Sequence, residues 1–242
     1  MFIKSRSVTS ALIATALMVL SRAAPAEAQT FNGPLYSTEQ LAGFDILGVK
    51  LRMGLGEVVD ELVERNYAIK FSQGDGREYS ADAPETDRIL ARVCTFTRAV
   101  MVEINKRRRQ AQPGEYCGPN LHIIGVSPNG RVDVAFGPDT NSSGIGVIHI
   151  SLTFINADIP SLRENLISKY GPVSSIDYRT YRWSTRFNPL APSPRLYANV
   201  HDPEEHLSSS VTLDGRLWQT AIADQEVLAE ADRVAPPRQS EF

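Results

Sequence analysis

The stretch LHIIGVSPNGRVDVAF, residues 121–136, decides how this chain folds. Two apolar, β-branched runs, 121–126 and 131–136, are joined by Ser127-Pro128-Asn129-Gly130. Asn-Gly between two such runs predicts a hairpin, because both residues tolerate positive φ. The two runs are therefore antiparallel neighbours. Residues 146–155 form another strongly β-branched run, with only the Gly- and Ser-rich 137–146 between it and the hairpin. Runs of strands without intervening helices exclude a doubly wound parallel sheet.

Outward from the hairpin the pattern continues. Residues 44–52 alternate and predict a short strand. Val58, Val59, Leu62 and Val63 then fall on one helical face, opposite Glu57, Asp60, Glu61 and Glu64, which is the spacing of a half-buried amphipathic helix. Residues 67–71 return as a strand, and 73–85, with Gly, Asp, Ser and Pro, read as loop. Residues 92–104 predict a long strand, from the alternation of Val93, Thr95 and Thr97 with Cys94, Phe96 and Arg98, followed by Val100, Val102 and Ile104. Farther on, Asp158 caps a second helix with Pro160 in its first turn, an apolar stripe of Leu162, Leu166, Ile167 and Tyr170, and a stop at Gly171-Pro172. Residues 174–183, 195–200 and 208–213 read as strands, Asp214-Gly215 as a turn, and 217–233 as a last helix.

Strand, amphipathic helix and antiparallel strands thus occur twice. The expected class is α+β, an antiparallel sheet with helices packed on one face, built from two β-α-β-type repeats. Residues 29–140 and 141–234 are the expected halves, and 235–242 a disordered tail. Leu62 and Leu166 should be equivalent, each central on the stripe of its helix.

The N-terminus carries an address. Lys4 and Arg6 precede an almost unbroken apolar run at 8–20, and Ala26-Glu27-Ala28 supplies a small-x-small site. That order predicts a secretory signal peptide, residues 1–28, cleaved after Ala28. The run is too short for a stable membrane span. No cysteine lies near the cleavage point for a lipid anchor, and no second run of membrane length follows. The expected location is periplasmic or secreted. With 25 Lys and Arg against 28 Asp and Glu, the formal charge is −3, and removing the basic leader makes the rest more acidic. That balance gives no electrostatic reason to bind nucleic acid or anionic lipid.

Cys94 and Cys117 are the two cysteines of the chain. In an oxidising compartment they are expected to form one disulfide, since a metal pair would want further ligands at suitable spacing.

Gly48-Val49-Lys50-Leu51-Arg52-Met53-Gly54-Leu55-Gly56-Glu57-Val58 resembles the G-V-x-L-G-M-S-x-x-E-V lead-in to a helix found in small outer-membrane lipoproteins of the SmpA/OmlA type and in β-lactamase inhibitory protein. Lys169-Tyr170-Gly171-Pro172, with Trp183 a strand later, resembles the close of a second repeat in periplasmic relatives of that group. The resemblance covers 44–71 and 148–183. It departs at Arg52, where the group has Gly, and the lipobox of the lipoproteins is missing. The resemblance implies non-catalytic protein binding through an exposed sheet face and supplies no catalytic residues.

Several clusters remain as candidate sites. His201-Asp202-Pro203-Glu204-Glu205-His206 is the densest set of potential metal ligands, with His201, Asp202, Glu205 and His206 the weak alternative for a metal site, yet Pro203 places it in a loop and its His spacing matches no common zinc signature. Lys106-Arg107-Arg108-Arg109 reads either as a solvated loop tip or as a contact for an acidic partner. Tyr181 and Trp183 share a strand face, with Tyr197 on an adjacent strand; they form either a partner-binding face or core against the second helix. The glycine-rich 137–146 fails as a phosphate loop, because no Gly-Lys-Ser/Thr follows and a strand comes next; it reads as the linker between halves. His122 and His149 sit in apolar strands, and no Ser, His and Asp set is marked by an elbow motif. No cofactor is implied. The expected function is a periplasmic non-enzymatic protein that binds another envelope protein, in envelope assembly or enzyme inhibition. The alternative is a secreted metal-dependent hydrolase built on the His201/His206 loop.

Overall fold

The structure is a computed structural model that describes residues 33–73, 76–108, 121–155, 158–186, 188, 192–201 and 208–236. The leader with its cleavage site, Arg109, Cys117, the stretch 202–207 and the tail from 237 lie outside the described residues.

A first short helix, α1 (Thr38–Ala42), is capped by Ser37 and Gln40 in a reciprocal box. The two-residue strands β1 (Asp45–Ile46) and β2 (Val49–Lys50) form a tight hairpin, with Leu47 and Gly48 at φ +56° and +78°. The single strand expected over 44–52 is thus a hairpin, because both turn residues are left-handed. Helix α2 (Leu55–Glu64) follows, its first turn closed by Glu57, whose carboxylate accepts from Gly54 N–H at 2.8 Å. Strands β3 (Ala68–Ser72) and β4 (Tyr79–Ser80) come next, then helices α3 (Pro84–Leu90) and α4 (Phe96–Arg107). The second half of the chain runs β5 (His122–Ser127), β6 (Gly130–Pro138), β7 (Ile145–Phe154), α5 (Ile159–Tyr170), β8 (Ser175–Asp177), β9 (Thr180–Trp183), β10 (Arg195–Asn199), β11 (Ser210–Asp214) and α6 (Arg216–Val234).

Among the described residues nine strands make one antiparallel sheet, in the order β4-β3-β5-β6-β7-β11-β10-β9-β8. The order reveals how the halves relate. After α2 the chain enters at β3, turns outward to the edge strand β4, passes through α3 and α4, and returns at β5 on the inner side of β3 before stepping to β6 and β7. After α5 it begins at the opposite edge and steps inward through β8, β9 and β10 to β11, which pairs with the other side of β7. Only the second half is a helix followed by an uninterrupted meander toward the centre. The expected boundary at 140 falls between β6 and β7, which pair directly over nine residue pairs, so the sheet is continuous across it.

One face of the sheet builds the principal core. Its rows run Phe71, Ile123, Val134, Ile150, Leu213, Leu196 and Trp183, and then Ile69, Val132, Leu152, Val211, Ala198 and Tyr181. Leu41, Val58, Leu62, Ile89, Leu162, Leu166 and Tyr170 from the helices close over them. Leu62 and Leu166 are both buried, as the stripes require, while Ile167 is exposed and lies off its stripe. The α4–α6 pair makes a separate small cluster of Val100, Ile104 and Ala231. It meets the sheet at Gly137 and Ile148, whose chain neighbours Phe136 and Val147 belong to the principal core.

Three further expectations are corrected. Residues 92–104 are not a strand: Thr95 caps a helix by accepting from Arg98 N–H, and Val100 and Ile104 meet because they are four apart on α4. Their period-two spacing with Val102 had equally fitted a strand. Residues 174–183 are two strands, not one, broken at Tyr178, which takes φ +53°. The hairpin at 127–130 is present, but its mechanism differs. Ser127 pairs with Gly130, the loop is Pro128-Asn129, and neither Asn129 nor Gly130 has positive φ. Gly130 is needed for space instead, since a Cβ there would lie 2.5 Å from Thr153 O.

Candidate functional site

Alternation along the strands places polar side chains on the face opposite the core. Strand pairing aligns them in rows. One row is Ser72, His122, Ala135, His149, Asp214 and Arg195; the next is Lys70, Ile124, Asp133, Ser151, Thr212, Tyr197 and Arg182; the third is Val126, Arg131, Thr153, Ser210, Asn199 and Thr180. Among the described residues only α4 and α6 approach this side, at the Gly137 and Ile148 end. The Arg131, Lys70 and Arg182 side chains are 45%, 44% and 39% exposed, whereas Ser72, Ile124, Ala135 and Thr212 in the same rows are buried.

The face is cross-linked by its own polar groups. His122 Nδ1 lies 2.9 Å from Asp133 Oδ1, and the Ser151 and Thr212 hydroxyls meet at 3.1 Å. Glu78 accepts from Arg131 at 2.6 Å and from Lys70 at 3.0 Å, and these bonds hold its carboxyl below the usual range. Asp214 is half-buried. Burial alone would raise its carboxyl, but His149, with Nδ1 3.8 Å away, and the paired N–H groups of Arg216 at 2.7 and 2.9 Å hold it far below the usual carboxylate value. The result is a set of imidazole, carboxylate, guanidinium and phenol groups brought together by strand register.

The sequence candidates fall as follows. Tyr197 is on the open face, beside Thr212 and Arg182. Tyr181 and Trp183 share a face as expected, but it is the core face. Trp183 is fully buried, donates from Nε1 to Gly171 O at 2.9 Å and stacks edge-on against Tyr170. A fully buried indole serves the core and is not a partner contact. Lys106, Arg107 and Arg108 lie at the C-terminal end of α4, where basic groups suit the helix dipole. They are not a loop tip. Arg107 bridges Glu103 and Asp232, and Lys106 lies 3.7 Å from Glu103. His201 follows β10, its N–H donating to Ser209 Oγ at 3.0 Å; Asp202, Glu205 and His206, the rest of the weak metal set, lie outside the described residues. Among the described residues no group of three or more His, Cys, Asp or Glu side chains is placed to hold a metal. Cys94 is buried just before α4, and no described cysteine is a free thiol. Its expected partner Cys117 lies outside the described residues.

Sequence reasoning left out His122, Asp133, His149 and Asp214 as a set. Their signal was present in the polar positions that alternate through 131–135, 149–153 and 210–214. It becomes a site only when registers align the strands. No helix among the described residues is long and apolar enough to cross a membrane. Comparison with models of known families, with characterised proteins and with solved structures finds no match to this chain.

Proposed function

We propose that this chain is an exported, non-catalytic protein that binds another envelope protein through the open face of its sheet, in envelope assembly or in enzyme inhibition. The observation that carries the reading is the row from Lys70 to Arg182, which crosses seven paired strands, with α1, α2, α3 and α5 on the other side and α4 and α6 at one end of this one. Seven strands at about 4.8 Å spacing span roughly 30 Å, the width of a contact of about 800 Å² per partner. A solvated face is common in antiparallel sheets. What favours binding is its content: Tyr197, Arg131 and Arg182 are of the residue types enriched at protein interfaces. The signal-like leader and the resemblance of 48–58 to exported binding proteins support the same reading.

The test is retention of envelope proteins by the purified chain, compared with the double variant Arg131→Glu, Thr153→Arg and with Glu164→Lys on α5. The reading expects a defined protein held by the wild type and by Glu164→Lys and lost by the double variant. Equal retention by all three would refute it. Stoichiometric zinc in the purified protein, lost in His201→Ala, would favour the metal-dependent hydrolase instead.

A further inference from the structure

A cleft of about 260 Å³ lies between α4, α6 and the ends of β6 and β7. It exists because small residues face one another: Ala99 on α4, Ala223 on α6 and Gly137 on β6. Its walls are apolar, from Val102, Ile148 and Val227. At about 30 Å³ of liquid volume per water, it has room for roughly eight waters or a short aliphatic molecule.

Its polar groups select the ligand. Gln219 lines the cleft and is 1% exposed. The Asp139 carboxylate, already held by Arg52, accepts the Gln219 amide N–H. That fixes the amide orientation and leaves Gln219 Oε1 a buried acceptor with no donor. An unmatched buried acceptor is unfavourable, so a ligand that donates there is rewarded. Two carboxylates also line the cleft. Glu103 is occupied by Arg107 and Lys106, whereas Asp224, exposed at the mouth, forms no ion pair among the described residues. The site therefore asks for a donor and favours positive charge.

We propose that this cleft binds a small organic cation, a primary ammonium on a short aliphatic body. The ammonium donates to Gln219 Oε1, the carbon chain lies against Val102, Ile148 and Val227, and Asp224 attracts the charge at the entrance. The site lies at the α4–α6 end of the same sheet face, uses none of the residues of the three polar rows, and does not depend on the protein-binding reading.

Titration of the full chain with n-butylammonium chloride, followed by amide chemical shifts, tests this directly, with 1-butanol and sodium butyrate as comparisons. The expected result is saturable shifts at 99–103 and 219–227 with butylammonium only. Asp224→Asn should weaken binding about threefold, as befits an exposed charge, and Ala223→Leu should abolish it by filling the cleft. Ala99→Leu fills it from the opposite wall should Ala223→Leu fail to fold. No saturable shift, equal shifts with butanol or butyrate, or unchanged affinity in both leucine variants would overturn the proposal.

Discussion

Arg52 grips Asp139 across 87 positions of sequence: its Nε lies 2.8 Å from Oδ2, and its Nη2 lies 3.3 Å from Oδ1. Asp139 is 1% exposed and also accepts from Gln219 and from the Asn141 N–H. The turn before α2, the connection from β6 to β7, and α6 are thereby joined at one buried carboxylate. Arg52 does this from φ +69°. The left-handed backbone at this position would suit Gly, and the guanidinium's bond to Asp139 accounts for a large residue there.

The first prediction separates backbone from charge at that position. Arg52→Ala leaves Asp139 buried without its cation and keeps an unfavourable φ, so it should cost about 3 kcal/mol or more. Arg52→Gly loses the same ion pair but suits the left-handed backbone, and should be about 1 kcal/mol more stable than the alanine variant. Urea unfolding of both measures the difference. Equal stabilities would mean the backbone at 52 is not strained.

The two helices should respond alike. Leu62→Ala and Leu166→Ala each remove a buried side chain from the principal core and should cost about 2–5 kcal/mol, lowering Tm by roughly 5–15 °C. Glu164→Ala, on the exposed side of α5, should stay within about 0.5 kcal/mol. Calorimetry in which Leu166→Ala melts with Glu164→Ala would break the equivalence of the halves.

Acid sensitivity should concentrate at Asp214. Its folded carboxyl lies below the unfolded value of about 3.9, so its stabilisation is complete above that value and is lost as the pH falls through it toward the folded one. The stability difference between wild type and Asp214→Asn should therefore shrink between about pH 5 and pH 2. A constant difference over that range, measured by unfolding at each pH, would contradict the depressed carboxyl.

The expected Cys94–Cys117 disulfide closes a loop of about 24 residues and should contribute roughly 3 kcal/mol. Intact mass should fall two hydrogens below the dithiol value, and Cys94→Ser should unfold earlier in urea. Thiols that titrate in denaturant without reductant would exclude the bond.

Much of this fold is legible in sequence because burial imposes period. Val58, Val59 and Leu62 can share a face only on a helix, α5 is announced by its Asp158 cap and Gly171 stop, and the β-branched run ending in Phe154 sits at the sheet centre. The failure at 92–104 has the same root. Val100, Val102 and Ile104 satisfy period two, while Val100 and Ile104 alone satisfy the helix, and only packing against Ala231 of α6 decides. Left-handed turns at Leu47 and Tyr178 were hidden because neither residue advertises positive φ. The candidate site was the least legible part. His122, Asp133, Ser151, Asp214 and Tyr197 become neighbours through strand registers that no local pattern encodes, and of the two readings of Tyr181 and Trp183 it is the core one that the structure shows.

The central claim is that the polar face of the sheet meets a partner, and site-specific photo-crosslinking in the native envelope tests it most directly. A crosslinker at Thr153, in the middle of the open face, should give one discrete adduct with another protein, and a crosslinker at Ile167 on the helical side should give none. Adducts from Ile167 alone, or the same adducts from both positions, would contradict the account.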